Sequence, residues 1–331
     1  MRDHGGDLDQ ARARHGAGDW LDLSTGINAR PYPVPELPAR AFAALPEAGE
    51  IAALEAAAAR AYGTALTPVA LAGAQAAIQL VPRLGPDGPA RVLGPTYNEH
   101  AAALAAQGRA VTEVTTLEAL AGAAVAVVVN PNNPDGRRHA PEALEALAAQ
   151  VGLLVIDESF CDPEPALSLA PRFGASASGA ARENLLILRS FGKFYGLAGL
   201  RLGFTLSGPE LARTIRAAAG PWAVSGPSIA TGRAALEDRA WQQATTTRLG
   251  RDAARLDGLA ARAGWTLVGG TPLFRTYETG DAQKARDHLA RAHIWSRAFP
   301  YSTGWLRLGL PGDRTGWQRL EAALVGAEGA R

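Results

Sequence analysis

Between about residue 50 and residue 220, short unbroken apolar runs alternate with alanine-rich stretches. The runs "VALAG", "RVLGP", "VAVVVN", "GLLVIDES", "NLLILRS" and "LRLGFTL" predict buried strands. The stretches "EIAALEAAAARAYG", "AQAAIQLVPRL", "NEHAAALAAQG" and "PEALEALAAQVG" predict helices. Strands that are apolar throughout, rather than alternating, are covered on both faces, which predicts a mostly parallel sheet in an α/β domain. After "GPWAVSGPS" the texture changes. Residues 227–263 predict one long Arg/Ala-rich helix, and "WTLVGGTPLFRTYE", "HIWSRAF" and "WLRLGL" predict later strands. The expected organisation is an N-terminal arm over residues 1–35, a large domain over 36–222 and a smaller α+β domain over 223–331.

Composition narrows the function classes. The 331 residues fit roughly two domains, and 47% of them are hydrophobic, enough for a sizeable core. A net charge of +1, with no block of basic residues, gives no general attraction to nucleic acid or to an anionic membrane. The longest apolar run, "AGAAVAVVV", is too short to span a bilayer. Cys161 is the only cysteine, so no internal disulfide is available, and a free thiol suits a reducing compartment. With a polar N-terminus lacking a signal-peptide core, the expectation is a soluble cytoplasmic protein. Of the 33 basic residues only two are lysines, Lys193 and Lys284. A chain that draws its charge from arginine has a lysine where it needs an amine able to lose its proton and attack a carbonyl. Lys193 is the candidate.

In open α/β sheets, ligands bind beyond the carboxyl ends of the strands, and those positions here carry pointed chemistry. Gly73-Ala74-Gln75 opens a helix and reads either as a tight turn or as a phosphate cradle. Tyr97 follows a strand and reads as a half-buried tyrosine or a ring-stacking platform. Asn133 sits between prolines, as turn chemistry or as a directed donor. Asp157 ends an apolar run, where a carboxylate needs a partner. Ser190, Lys193 and Arg201 follow within one segment and can hold a dianion beside a Schiff base.

This series resembles the pyridoxal-phosphate enzymes of fold type I, the aspartate aminotransferase superfamily, over nearly the whole chain from "LDLSTGIN" to "WLRLGL". The segment "SFGKFYGLAGLRLGF" is similar to the lysine segment of the histidinol-phosphate aminotransferase branch. The resemblance implies pyridoxal 5′-phosphate as cofactor, Lys193 as its Schiff-base lysine and Asp157 as partner of the pyridine nitrogen. It implies that Asn133 bonds the ring 3′-oxygen, that Tyr97 stacks on the ring, and that Ala74, Gln75, Ser190 and Arg201 hold the cofactor phosphate. It also implies a homodimer. "HGGDL", "LDLSTGINARPYP", "DESFCDPEPALSLAP" and "LRLGLPG" resemble the threonine-phosphate decarboxylases of cobalamin biosynthesis, within that branch. That likeness implies decarboxylation of L-threonine O-3-phosphate, a small phosphorylated amino acid. His4, Gly5 and Arg297 would meet its phosphate, while Asn133 and the backbone near Ile27 and Asn28 would line the pocket. Arg307 would take the substrate carboxylate or its phosphate.

Two positions depart from the aminotransferase pattern. Phe160 stands where the superfamily usually carries a tyrosine that donates to the 3′-oxygen, and Leu45 stands where many relatives carry a tyrosine reaching the cofactor phosphate across the dimer. A changed donor set alters the electronics of the bound cofactor, and Phe160 leans away from transamination. A histidinol-phosphate aminotransferase using 2-oxoglutarate is the nearest rival. A nicotinamide dehydrogenase is disfavoured, since no strand is followed by G-x-G-x-x-G.

Overall fold

The computed structural model describes residues 4–173 and 183–325. The chain forms two compact units. The larger comprises residues 32–132 and 138–242, and the smaller residues 1–31, 133–137 and 243–331.

The larger unit is built on a seven-stranded sheet. Its spatial order is Thr67–Leu71, Gly203–Ser207, Leu185–Ser190, Leu153–Asp157, Val125–Val129, Ala90–Leu93 and Val111–Val114. Gly203–Ser207 runs antiparallel to both neighbours, and every other pairing is parallel. The mostly parallel sheet expected from unbroken hydrophobicity is thus present, and Val125–Val129 and Leu153–Asp157 are buried at every position. Val69, Ile78, Leu104, Val127, Val155 and Leu188 share one core cluster. Each such side chain contributes about 1.5–3 kcal/mol by leaving water. The edge strand Val111–Val114 lies outside the expected set. Its sequence, VTEV, is half polar because an edge strand keeps one side in solvent.

The long helix expected over 227–263 is two helices, Gly226–Glu237 and Arg239–Arg262. Asp238 breaks the run, and its Oδ1 accepts the Trp241 N–H at 2.9 Å, capping the second helix. Gln242 donates to the carbonyls of Ala235 and Leu236 and so satisfies the end of the first. The first helix packs against Ala48–Tyr62 within the larger unit. Gly232 permits the approach, since a Cβ there would lie 2.4 Å from Leu202.

The smaller unit carries a four-stranded antiparallel sheet in the order Arg297–Phe299, Ser302–Gly309, Phe274–Glu278, Thr266–Thr271. "HIWSRAF" is not one strand. Ile294–Trp295 pairs in parallel with Leu21–Asp22, whereas Arg297–Phe299 joins the antiparallel sheet. The N-terminal residues therefore contribute structure of their own: a helix Leu8–His15, capped by Asp7, and that short strand.

Candidate active site

In the larger unit, the residues singled out in the sequence lie beyond the carboxyl ends of the strands. Gly73 adopts φ 81°, the left-handed region, between Thr67–Leu71 and the helix Ala74–Leu80. A Cβ on Gly73 would lie 2.7 Å from the Arg201 Nη2, and one on Gly203 would lie 2.5 Å from the Ala74 backbone nitrogen. Ser190 pairs with Gly203 across the sheet and immediately precedes the short helix Phe191–Phe194 that carries Lys193. Arg201 itself has φ 54°, uncommon for a residue with a side chain, and its Nη1 donates to the Ala198 carbonyl at 3.1 Å. Ala74, Ser190 and Arg201 thus gather around two positions kept bare of side chain. Gln75 is half-buried beside them.

Asp157 is buried. Its Oδ2 lies 2.9 Å from His100 Nε2, and its Oδ1 accepts the Ser159 N–H at 2.9 Å and the Ser159 hydroxyl. Burial pushes its carboxyl up, but the His100 and Ser159 bonds outweigh this and hold it below the ordinary carboxylate range. Asp157 therefore stays ionised and can pair with a protonated ring nitrogen. His100 was not among the expected residues. Tyr97 lies just before the helix Glu99–Ala106 and His100 in its first turn; the two rings meet edge-on at 6.1 Å. The Tyr97 hydroxyl donates to Gln75 Oε1 at 3.4 Å, and Gln75 Nε2 donates to Glu99 at 3.3 Å. Lys193 Nζ lies 5.6 Å from the centroid of the buried Phe160 ring.

Behind these residues the buried Arg189 donates to the buried Glu158 at 2.7 Å and to Asp162 at 2.8 Å. The Glu158 N–H also bonds the Leu188 carbonyl. These bonds hold the turn that carries Phe160 against the strand leading to Lys193. Leu45 is exposed.

The smaller unit holds a second group. Arg297 and Arg307 face each other across antiparallel strands, an arrangement that repels unless an anion lies between or beside them. Arg307 is buried among Phe274 and Phe299, with its guanidinium carbon 5.1 and 5.9 Å from their centroids. It donates from Nη1 to Asn133 Oδ1 and from Nη2 to the Ser24 carbonyl at 2.6 Å. It has no carboxylate partner among the described residues. Burial and the neighbouring Arg297 lower its pKa to about 10. A buried cation left this way can receive an anion. Gly5 lies over the Ser24 carbonyl, where a Cβ would come within 2.3 Å of the oxygen. His4 is exposed on the same segment. Ile27 is half-buried, and Asn28 is buried with its Oδ1 accepting the Arg30 N–H and Arg248 Nη2.

The larger-unit set can hold a planar, phosphorylated ring with a basic nitrogen, and the smaller-unit set can hold a carboxylate or phosphate. Residues 28–323 match the aminotransferase class I and II family. The chain is 44% identical to a threonine-phosphate decarboxylase of Sinorhizobium sp over 98% of both chains. It is 42% identical to one of Pseudomonas aeruginosa, again over 98% of each. Among solved structures it resembles histidinol-phosphate aminotransferase from Sinorhizobium meliloti in complex with pyridoxal-5′-phosphate, with TM-score 0.84 and 22% identity, covering 100% of this chain and 96% of that one. It also resembles L-threonine-O-3-phosphate decarboxylase from Porphyromonas gingivalis, with TM-score 0.74 and 18% identity, covering 93% and 99%.

Proposed function

The chain belongs to the aminotransferase class I and II family, and from that premise we propose that it binds pyridoxal 5′-phosphate and decarboxylates L-threonine O-3-phosphate. The products are (R)-1-amino-2-propanol O-2-phosphate and carbon dioxide, and the reaction belongs to cobalamin biosynthesis. The observation that carries the choice among the family's reactions is full-length kinship with two threonine-phosphate decarboxylases. The smaller unit supports it with two facing arginines for a substrate that brings two anionic groups.

The larger unit's residues fit the cofactor. Gly73 and Gly203 leave the space a Cβ would fill, with Arg201, Ser190 and the start of the helix around it. Asp157 offers a retained charge. When bound, the cofactor supplies an electron sink for the bond broken at the substrate Cα. Lys193 would provide the covalent attachment, and as a free amine it would be the group to return a proton to Cα. Asp157, oriented by His100 and Ser159, holds the proton on the ring nitrogen. Tyr97 stacks on the ring, fixed through Gln75 and Glu99. Arg307 takes up the carbonyl oxygen of Asn133, so the amide nitrogen is left to donate. Phe160 packs without donating, which leaves Asn133 the main side-chain donor to the 3′-oxygen. Arg297, His4 and Gly5 bind the substrate phosphate, Asn28 and Ile27 line its pocket, and Arg307 takes carboxylate or phosphate. Decarboxylation needs the bond to the carboxylate aligned with the electron sink, and residues that hold the substrate's anionic groups would serve that orientation.

The functional protein is a cytoplasmic homodimer in this reading. Phe42, Leu45 and Trp222 are exposed large apolar side chains of the larger unit, of the kind a second copy would cover. Burial pushes the Cys161 thiol well above its ordinary value, which suits a chain kept reduced. Among the described residues no helix is long and apolar enough to cross a membrane. The test is direct: purified protein reconstituted with cofactor releases carbon dioxide from threonine phosphate, and failure to do so refutes the reading.

A further inference from the structure

Ser24 makes more use of its atoms than its sequence setting suggests. It is 1% exposed. Its N–H and its hydroxyl both donate to Asp22 Oδ1, at 2.8 and 2.6 Å. The hydroxyl oxygen accepts the Gly6 N–H at 2.8 Å. Its carbonyl accepts Arg307 Nη2 at 2.6 Å. The segment around it is held on both sides. Gly5 lies so close over the Ser24 carbonyl that only a glycine fits. On the other side, Gly309 donates to the Leu23 carbonyl at 2.7 Å and could carry no Cβ against the Thr25 oxygen.

The hydroxyl links the "HGG" segment, through Gly6, to the residue whose carbonyl bonds the buried guanidinium. Asp22 fixes its rotamer by accepting its hydrogen bond, and that leaves an oxygen lone pair for the Gly6 N–H. The backbone of the same residue meanwhile occupies one of the Arg307 nitrogens. A displacement of Gly5 and Gly6 is therefore felt at Arg307 through a single residue.

We propose that Ser24 is a positioning residue: its hydroxyl pins the segment His4–Gly6 over Arg307, so that segment and guanidinium form one anion-binding surface for the substrate. The proposal rests on the reading that Arg307 and the "HGG" segment receive the substrate's anionic groups. It goes beyond that reading by assigning a residue that touches neither cofactor nor substrate, and by predicting that N-terminal order and substrate affinity change together.

The experiment uses the cofactor-loaded protein and its Ser24→Ala and Ser24→Thr variants. Three quantities are measured: hydrogen exchange of a peptide covering residues 4–8, exchange of that peptide with inorganic phosphate present, and steady-state rates with threonine phosphate. In Ser24→Ala the Gly6 amide loses its acceptor and exchange across the segment rises at least about tenfold. Phosphate slows this exchange in the wild type and not in the alanine variant. KM for threonine phosphate rises about two- to tenfold, the range for one neutral hydrogen bond, while kcat and the cofactor absorbance stay within about twofold. Ser24→Thr keeps the hydroxyl and restores all three. Unchanged exchange in Ser24→Ala overturns the proposal, as does raised exchange with unchanged KM, or a threonine variant no better than alanine. If the wild type does not act on threonine phosphate, the functional reading has failed on its own. The exchange measurements with and without inorganic phosphate then decide Ser24 separately.

Discussion

Replacing Arg307 by lysine keeps the positive charge and removes the fork. In the wild type the guanidinium reaches two acceptors on different segments, Asn133 Oδ1 and the Ser24 carbonyl, while lying between Phe274 and Phe299. A lysine ammonium at the end of a flexible stem does not span both acceptors while presenting a planar face to an anion. At least one charge-assisted hydrogen bond is lost, worth about 1.5–3 kcal/mol. That corresponds to a fall in kcat/KM of roughly 10- to 150-fold. The assay is carbon dioxide release across a range of threonine phosphate concentrations. Most of the loss falls on KM, because anion binding is felt in ground and transition states alike. A smaller loss in kcat follows from an Asn133 amide no longer held by its oxygen. Free threonine divides the two roles left to Arg307: an arginine on the carboxylate is missed equally by both substrates, one on the phosphate only by the phosphorylated one. A lysine variant within about threefold of wild type on threonine phosphate would refute the reasoning, since the fork would then play no part in the reaction.

Three further outcomes are expected. The cofactor-loaded protein is yellow, borohydride fixes the cofactor on Lys193, and Lys193→Ala retains little turnover; label on Lys284 would sink the assignment. Asp157→Asn slows catalysis by at least roughly a hundredfold, the lower end for lost electrostatic stabilisation. Because the Asp157 carboxyl lies below its ordinary 3.8 in the folded protein, its contribution to stability is full above that value and is lost as pH falls further through the folded value. The stability gap between wild type and Asp157→Asn in acid unfolding should therefore narrow below 3.8; a gap that widens there would contradict the depressed carboxyl. Single replacements of His4 and Arg297 lower the preference for threonine phosphate over threonine by roughly tenfold or more, from one lost charge-assisted contact each; an unchanged preference in both would put the phosphate elsewhere.

The sequence made some of this legible and hid the rest for physical reasons. Asp157 was visible because a carboxylate at the end of a five-residue buried strand cannot stand without a partner. Lys193 was visible because the chain uses lysine so rarely. The partner of Asp157 was hidden, since His100 sits in an alanine-rich helix and is joined to it across 57 positions of sequence. The anchoring of the N-terminal segment was hidden likewise: Ser24 and Arg307 are 283 positions apart and meet through a backbone carbonyl, which leaves no trace in residue type. The division of 227–263 turned on a cap. Asp238 reads as one more polar position on an amphipathic surface, but its side chain ends one helix and starts the next. "HIWSRAF" reads as one strand because strand pattern is local, while the partner of each half lies elsewhere in the chain.

The central claim is that the amino group stays on the product. It is tested by counting turnovers of threonine phosphate per active site with no keto acid present, following carbon dioxide and product together. A decarboxylase returns its cofactor to Lys193 in every cycle. The account predicts sustained release of carbon dioxide, many equivalents per site, matched by aminopropanol phosphate. It also predicts little glutamate from histidinol phosphate with 2-oxoglutarate. Rapid turnover of histidinol phosphate, with no carbon dioxide from threonine phosphate, would contradict it.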